Sequence, residues 1–154
     1  MKTNYIIKIG LFGFLPIFIG GFIYIINRTE TILFFNWIKA VQMENGIKYI
    51  RDLFGNYHLS EWIKFNLPDL LWVFGFTSVM LIIWKEIQSQ VKMLYIILPL
   101  VIAETSEIVQ YFIPTFGTFD FKDIIFYSIG WILSILILKT INQLKNEKQI
   151  TTSI

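Results

Sequence analysis

The sequence contains no cysteine and a single histidine, His58. Without thiols there are no disulfides, no thiolate metal sites and no cysteine nucleophile. One imidazole excludes a metal centre built on several histidines. Charge is scarce as well: 16% of residues are Asp, Glu, Lys or Arg and the net charge is +2, where a soluble domain carries about 25% charged residues. No basic run is dense enough to track phosphates, so nucleic acid is not an expected partner. A phosphate-binding Gly-rich loop, an HExxH helix and a serine nucleophile elbow are all missing. There is no internal repeat and no low-complexity segment.

What the chain does hold is apolar bulk. Of 154 residues 55% are hydrophobic, including 15 Phe, 5 Trp and 7 Tyr, and the mean hydropathy is +0.62. A domain of this length has too little interior to hide so many large side chains from water. A lipid solvent removes that restriction. About 20 mostly apolar residues cover the hydrocarbon core as a helix, and four segments approach this length: 6–26, 67–84, 93–113 and 124–141. The expected fold is therefore all-α, one transmembrane domain over 1–154 with four membrane helices. The first segment follows Lys2 and Lys8 as a signal peptide would. It is too long for such a peptide's apolar core, though, and it ends at Asn27-Arg28 with no small-x-small cleavage site, so it reads as a retained helix.

Between the first two segments, Ile32, Leu33, Phe34, Phe35, Trp37 and Ile38 are too apolar for a disordered linker and too few to span. Ile47, Ile50, Leu53 and Phe54 recur at helical spacing. Two interfacial helices are expected, at 31–43 and 46–54. Ser60 and Asn66 read as N-caps, and Pro68 suits a first helical turn. Trp37, Trp62, Trp72 and Trp84 read as interfacial anchors, and His58 as an ordinary loop residue. The polar tail after Ile141 reads as a helical extension.

Basic residues orient the chain. With the N-terminus in the cytoplasm, seven of them lie inside and six outside. The outside set is spread over the long first loop, where the rule is weak. The short loops are cleaner: Lys85 and Lys92 on one side oppose Lys122 on the other. Both termini are expected in the cytoplasm.

Ionisable groups within a membrane segment are costly and mark function by default. The third segment carries Glu104 and Glu107, with Gln110 one turn further on. The fourth carries Asp123, Tyr127, Gly130 and Ser134 at helical spacing. The short loop between them holds Gly117 and Asp120, and Asp69 opens the second segment. Glu104, Glu107, Gln110, Asp120, Asp123, Tyr127 and Asp69 are thus the expected site residues, gathered outside the membrane where the third and fourth helices meet. Each has a plainer reading. Asp120 or Thr118 can cap the fourth helix, Asp123 and Asp69 suit first turns near a helix dipole, and Glu104 can hold helices together. Gly130 reads as a packing residue. Clustered carboxylates can bind a hard cation, hold a cationic or hydroxyl-rich headgroup, or act as an acid–base pair. The spacing does not choose among these. No cofactor and no protein-ligated metal is expected.

The stretch from 104 to 134 resembles the VanZ-like family of small bacterial membrane proteins. Glu107-x-x-Gln110 and Asp120-x-x-Asp123 match the family pattern, and Gly130 falls at the family glycine. Pro68-Asp69-Leu70-Leu71-Trp72 matches more loosely. Gly117 stands where the family has Arg, and Tyr127 where it has Asn. The resemblance implies a cell-envelope role in the bacterial inner membrane without established catalysis. Its expected partners are the lipid bilayer, an envelope lipid or glycan precursor, or another membrane subunit. The alternatives are a membrane-embedded enzyme using paired carboxylates on a lipid-linked substrate, and a structural subunit of a membrane complex.

Overall fold

The computed structural model describes residues 2–28, 39–54, 59–87 and 89–151. Among them all regular structure is helical. Helix α1 (Lys2–Ile9) passes through a π-helical turn at Gly10–Phe14 into α2 (Leu15–Asn27). The Leu15 N–H reaches back to the Gly10 carbonyl there. Pro16 directly follows, and a proline lacks the N–H that would continue the α-helical ladder. The widened turn carries the chain through that gap as one rod. Then come α3 (Glu44–Phe54), the short α4 (Glu61–Phe65), α5 (Leu67–Ile83), α6 (Val91–Phe112), a 3₁₀ turn at Pro114–Phe116, and α7 (Phe121–Thr151).

Three stretches are long and apolar enough to cross a membrane: Tyr5–Asn27, Val91–Phe112 and Phe121–Gln143. Only 17%, 11% and 22% of their apolar windows are buried by protein. Such helices need an apolar solvent, because exposed apolar area costs about 25 cal/mol per Å² in water. The expectation was four spans. The second segment does form an apolar helix, but α5 has 17 residues, about 26 Å of rise, at the lower limit for a crossing.

Of the expected interfacial helices, 31–38, Trp37 and His58 lie outside the described residues. Within the first, Lys39 and Ala40 are helical but Val41 and Gln42 turn, with Gln42 at φ +58°, so that helix does not extend to 43. The second is present as α3. Arg51 ties it to the end of α2 through Nε to the Ile25 carbonyl (2.8 Å) and Nη2 to the Arg28 carbonyl (2.5 Å). A cation is favourable at a helix C-terminus, where unpaired carbonyls collect. Phe22 and Phe54 meet edge to face at 5.3 Å.

The short helix α5 is the centre of the molecule and packs most extensively on α7 and α2. Glycines make this closeness possible. A Cβ on Gly130 would strike the Leu70 carbonyl of α5, one on Gly75 would meet Ile17 and the Gly13 carbonyl, and one on Gly20 would meet Trp72 and the Pro68 carbonyl. Small residues let helix backbones approach where no hydrophobic effect drives association. Fully buried Thr77, Ser78 and Ser134 belong to the same pattern on α5 and α7. By contrast α6 packs more sparsely on α5 and α7, and it stands apart from α2. The opposite ends of the chain come together: Lys8 Nζ donates to Asn142 Oδ1 at 3.1 Å.

Candidate functional site

Three polar bonds run along the seam between α6 and α7. Trp131 Nε1 donates to the Ile96 carbonyl at 3.0 Å, one position beyond the carbonyl that Pro99 leaves without its helical donor. Ser128 Oγ donates to Glu104 Oε1 at 3.3 Å, and Tyr127 OH donates to Glu107 Oε1 at 3.3 Å. Glu104 therefore serves the seam. It lines neither of the two cavities described below, which separates it from the other expected site residues.

Glu107 is 2% exposed. Besides Tyr127 it accepts the Asp120 backbone N–H at Oε2 (3.3 Å) and Gln110 Nε2 at Oε1 (3.4 Å). The loop after α6 thus folds back onto the Glu107 carboxylate. Gly117 makes that return. Its φ is +154°, and a Cβ there would strike the Gln110 side chain, so both the backbone region and the space require glycine. Asp120 is exposed, and its Oδ1 accepts the Lys122 N–H at 2.9 Å, the bond of a helix N-cap. Its side chain caps α7 while its backbone serves Glu107.

Asp123 lies in the first turn of α7 and is buried. Asn66 Nδ2 donates to its Oδ1 at 3.0 Å. Asn66 does stand at the N-cap position of α5, but its side chain makes no cap bond. It is spent on Asp123 instead, linking α5 to α7. Ser60 likewise precedes α4 without a side-chain cap bond. Asp69, in the first turn of α5, has Oδ2 buried with no hydrogen-bond partner. A buried polar atom without a partner costs about 1–3 kcal/mol.

Glu107, Gln110, Asp120, Asp123, Tyr127 and Asp69 all line one cleft of about 1150 Å³. The structure adds Arg28, whose place in the sequence is the start of the first loop. Arg28 follows the end of α2, with its guanidinium 5.1 Å from the Phe65 ring and 5.4 Å from the Tyr24 ring. Nη2 reaches the Phe65 carbonyl at 3.4 Å, and the charge acts on Asp69 and Asp123. The available signal was topological: the first basic residue after the first span lies on the same side as the acids. Trp62 and Glu61 of α4 close the cleft's rim. Five carboxylates (Glu61, Asp69, Glu107, Asp120, Asp123) face two basic side chains, Arg28 and Lys122. Among the described residues, however, no three His, Cys, Asp or Glu side chains are grouped to ligate a metal ion. The carboxylates are spaced around the walls, and Glu107 and Asp123 are engaged with different donors.

The site thus draws on α2, α4, α5, α6 and α7, and extends well beyond the α6–α7 junction. Trp72 is not at the rim. It packs over Gly20 and lines an apolar groove next to the cleft. Trp84 stacks on Tyr95 at the other end of α5, rings 4.4 Å apart. No protein-family model, curated protein or solved structure matches the chain.

Proposed function

We propose that the chain is a VanZ-like protein of the bacterial inner membrane, crossing it four times with both termini in the cytoplasm, and that its outward cleft binds the polar head of an envelope component. The observation that carries the binding reading is the cleft itself: buried Glu107 and Asp123, the unpartnered Asp69 Oδ2 and Arg28 around one cavity of about 1150 Å³. Acids buried at that cost are retained where they meet a ligand.

The family motif supports the assignment through its geometry. Gln110 and the Asp120 backbone N–H meet at the Glu107 carboxylate, and Asp123 lines the same cleft. The loop arginine of the family pattern has no room at Gly117, and Arg28 brings a guanidinium to the same cleft from another helix. The scattered carboxylates favour an organic headgroup with several donors over a bare ion. The fourth crossing is assigned to α5, which packs on all three longer spans despite its length. The bond from Lys8 at the start of the first span to Asn142 at the end of the last supports termini on the same side.

A chromosomal Glu107→Gln, Asp123→Asn double variant tests the binding reading. It should reproduce the sensitivity of a deletion strain to cell-envelope stress while accumulating in the membrane at the normal level. Wild-type resistance in that strain sinks the proposal. Topology is tested by impermeant maleimide on intact cells, since native cysteine is absent. Glu61→Cys should label, and Glu86→Cys and Gln143→Cys should not. Labelling at 86 would remove α5 from the spans.

A further inference from the structure

The polar cleft does not end in protein. Tyr24, Asp69 and Tyr127 line it and also line a second cavity of about 580 Å³. That cavity runs along α5 in the gap between α2 and α6, past Trp72, Phe76 and Ile102, and those three side chains are exposed. Among the described residues nothing closes the gap, because α2 and α6 each pack on α5 and stand apart from one another. Gly21 faces the groove, and a Cβ built on it meets nothing within 4 Å. An acidic cleft and an apolar groove therefore share a wall at Asp69, whose Oδ2 is buried and without a partner. The groove's volume lies within the range of about 300–1,000 Å³ in which ligand pockets fall.

We propose that this joined cavity holds a membrane lipid with a primary ammonium headgroup, its N–H groups donating to Asp69 and one acyl chain lying in the groove between α2 and α6. Charge complementarity selects the head: five carboxylates outnumber two basic side chains in the cleft, so a cation is drawn in and a plain anionic head is repelled. Arg28 can still take a phosphate oxygen of a zwitterionic head. The gap gives the chain a sideways path from the bilayer. The inference rests on the cleft's role as a headgroup site and deepens it by naming the lipid.

The experiment uses full-length protein in nanodiscs of phosphatidylcholine. Its probes are a photoactivatable phosphatidylethanolamine, the matching phosphatidylglycerol, and soluble glycerophosphoethanolamine as competitor. Saturable cross-linking of the ethanolamine lipid is expected, at least about tenfold above the glycerol lipid, with Asp69→Asn losing about tenfold of it. Gly21→Phe, and independently Ala103→Phe, should abolish lipid labelling yet leave binding of the soluble headgroup in place. Circular dichroism of each variant shows whether the helices persist. Equal labelling by both lipids, unchanged in Asp69→Asn, identifies ordinary annular lipid and overturns the proposal. Soluble headgroup binding with no effect of groove filling overturns the acyl-chain placement and leaves the cleft reading intact. Binding of neither probe overturns both.

Discussion

Against α5, α2 and α7 each approach until Gly20 and Gly130 lie against its backbone carbonyls. The third neighbour, α6, carries Leu98, Pro99, Ile102 and Ala103 toward a groove and is held to α7 by the seam bonds of Trp131, Ser128 and Tyr127. The first contact is made of proximity, which requires residues without side chains. The second is made of directed polar bonds, which tolerate a gap. In a lipid solvent the apolar faces gain little by touching, so closeness has to come from packing and hydrogen bonds. Both cavities are lined in part by α6, where the packing on α5 is sparser.

The comparison is broken most severely at Gly130. A Gly130→Leu substitution forces atoms into the Leu70 carbonyl and should cost about 3 kcal/mol, read as a lowered unfolding midpoint in mixed micelles titrated with dodecyl sulfate. Next is Glu107→Ala, which strands the Tyr127 hydroxyl and the Asp120 N–H. A loss of about 1–3 kcal/mol is expected in the same titration, with Glu107→Gln recovering part of it. Tyr127→Phe removes one rung of the seam and should cost about 0.6 kcal/mol. A cost as large as that of Gly130→Leu would mean that α6 is held as tightly as α7. The smallest effect sharpens the contrast. Gly21→Ala adds a methyl group to open space and raises helix propensity, so it should stabilise by about 0.5 kcal/mol. Destabilisation there would show that α2 and α6 close on one another.

The membrane segments were legible because lipid makes the rule simple: every backbone group must be satisfied within the helix, so a long apolar run has one structure. The expected 6–26, 93–113 and 124–141 differ from Tyr5–Asn27, Val91–Phe112 and Phe121–Gln143 by a few residues at most. The site was legible where it depends on one helix or one short loop. Glu107 with Gln110, and Asp120 with Asp123, follow from spacing alone. Glu104 shares that face in sequence, yet Ser128 draws it into the α6–α7 seam. Asn66 looked like a cap because capping is local, and its bond to Asp123 spans 57 positions. Arg28 was missed for the same reason.

The sequence by itself determined how many apolar rods there are, roughly where they end and which acids they carry. These follow from hydropathy and helical period, properties of a single segment. Only the tertiary structure decided that the shortest rod stands in the middle, that Arg28 faces the acids, and that the polar cleft continues into an apolar groove. Each of those depends on how close two helices come, which is set by pairs of residues far apart in the chain: Gly130 against Leu70, Gly20 against Pro68, and no such pair between α2 and α6.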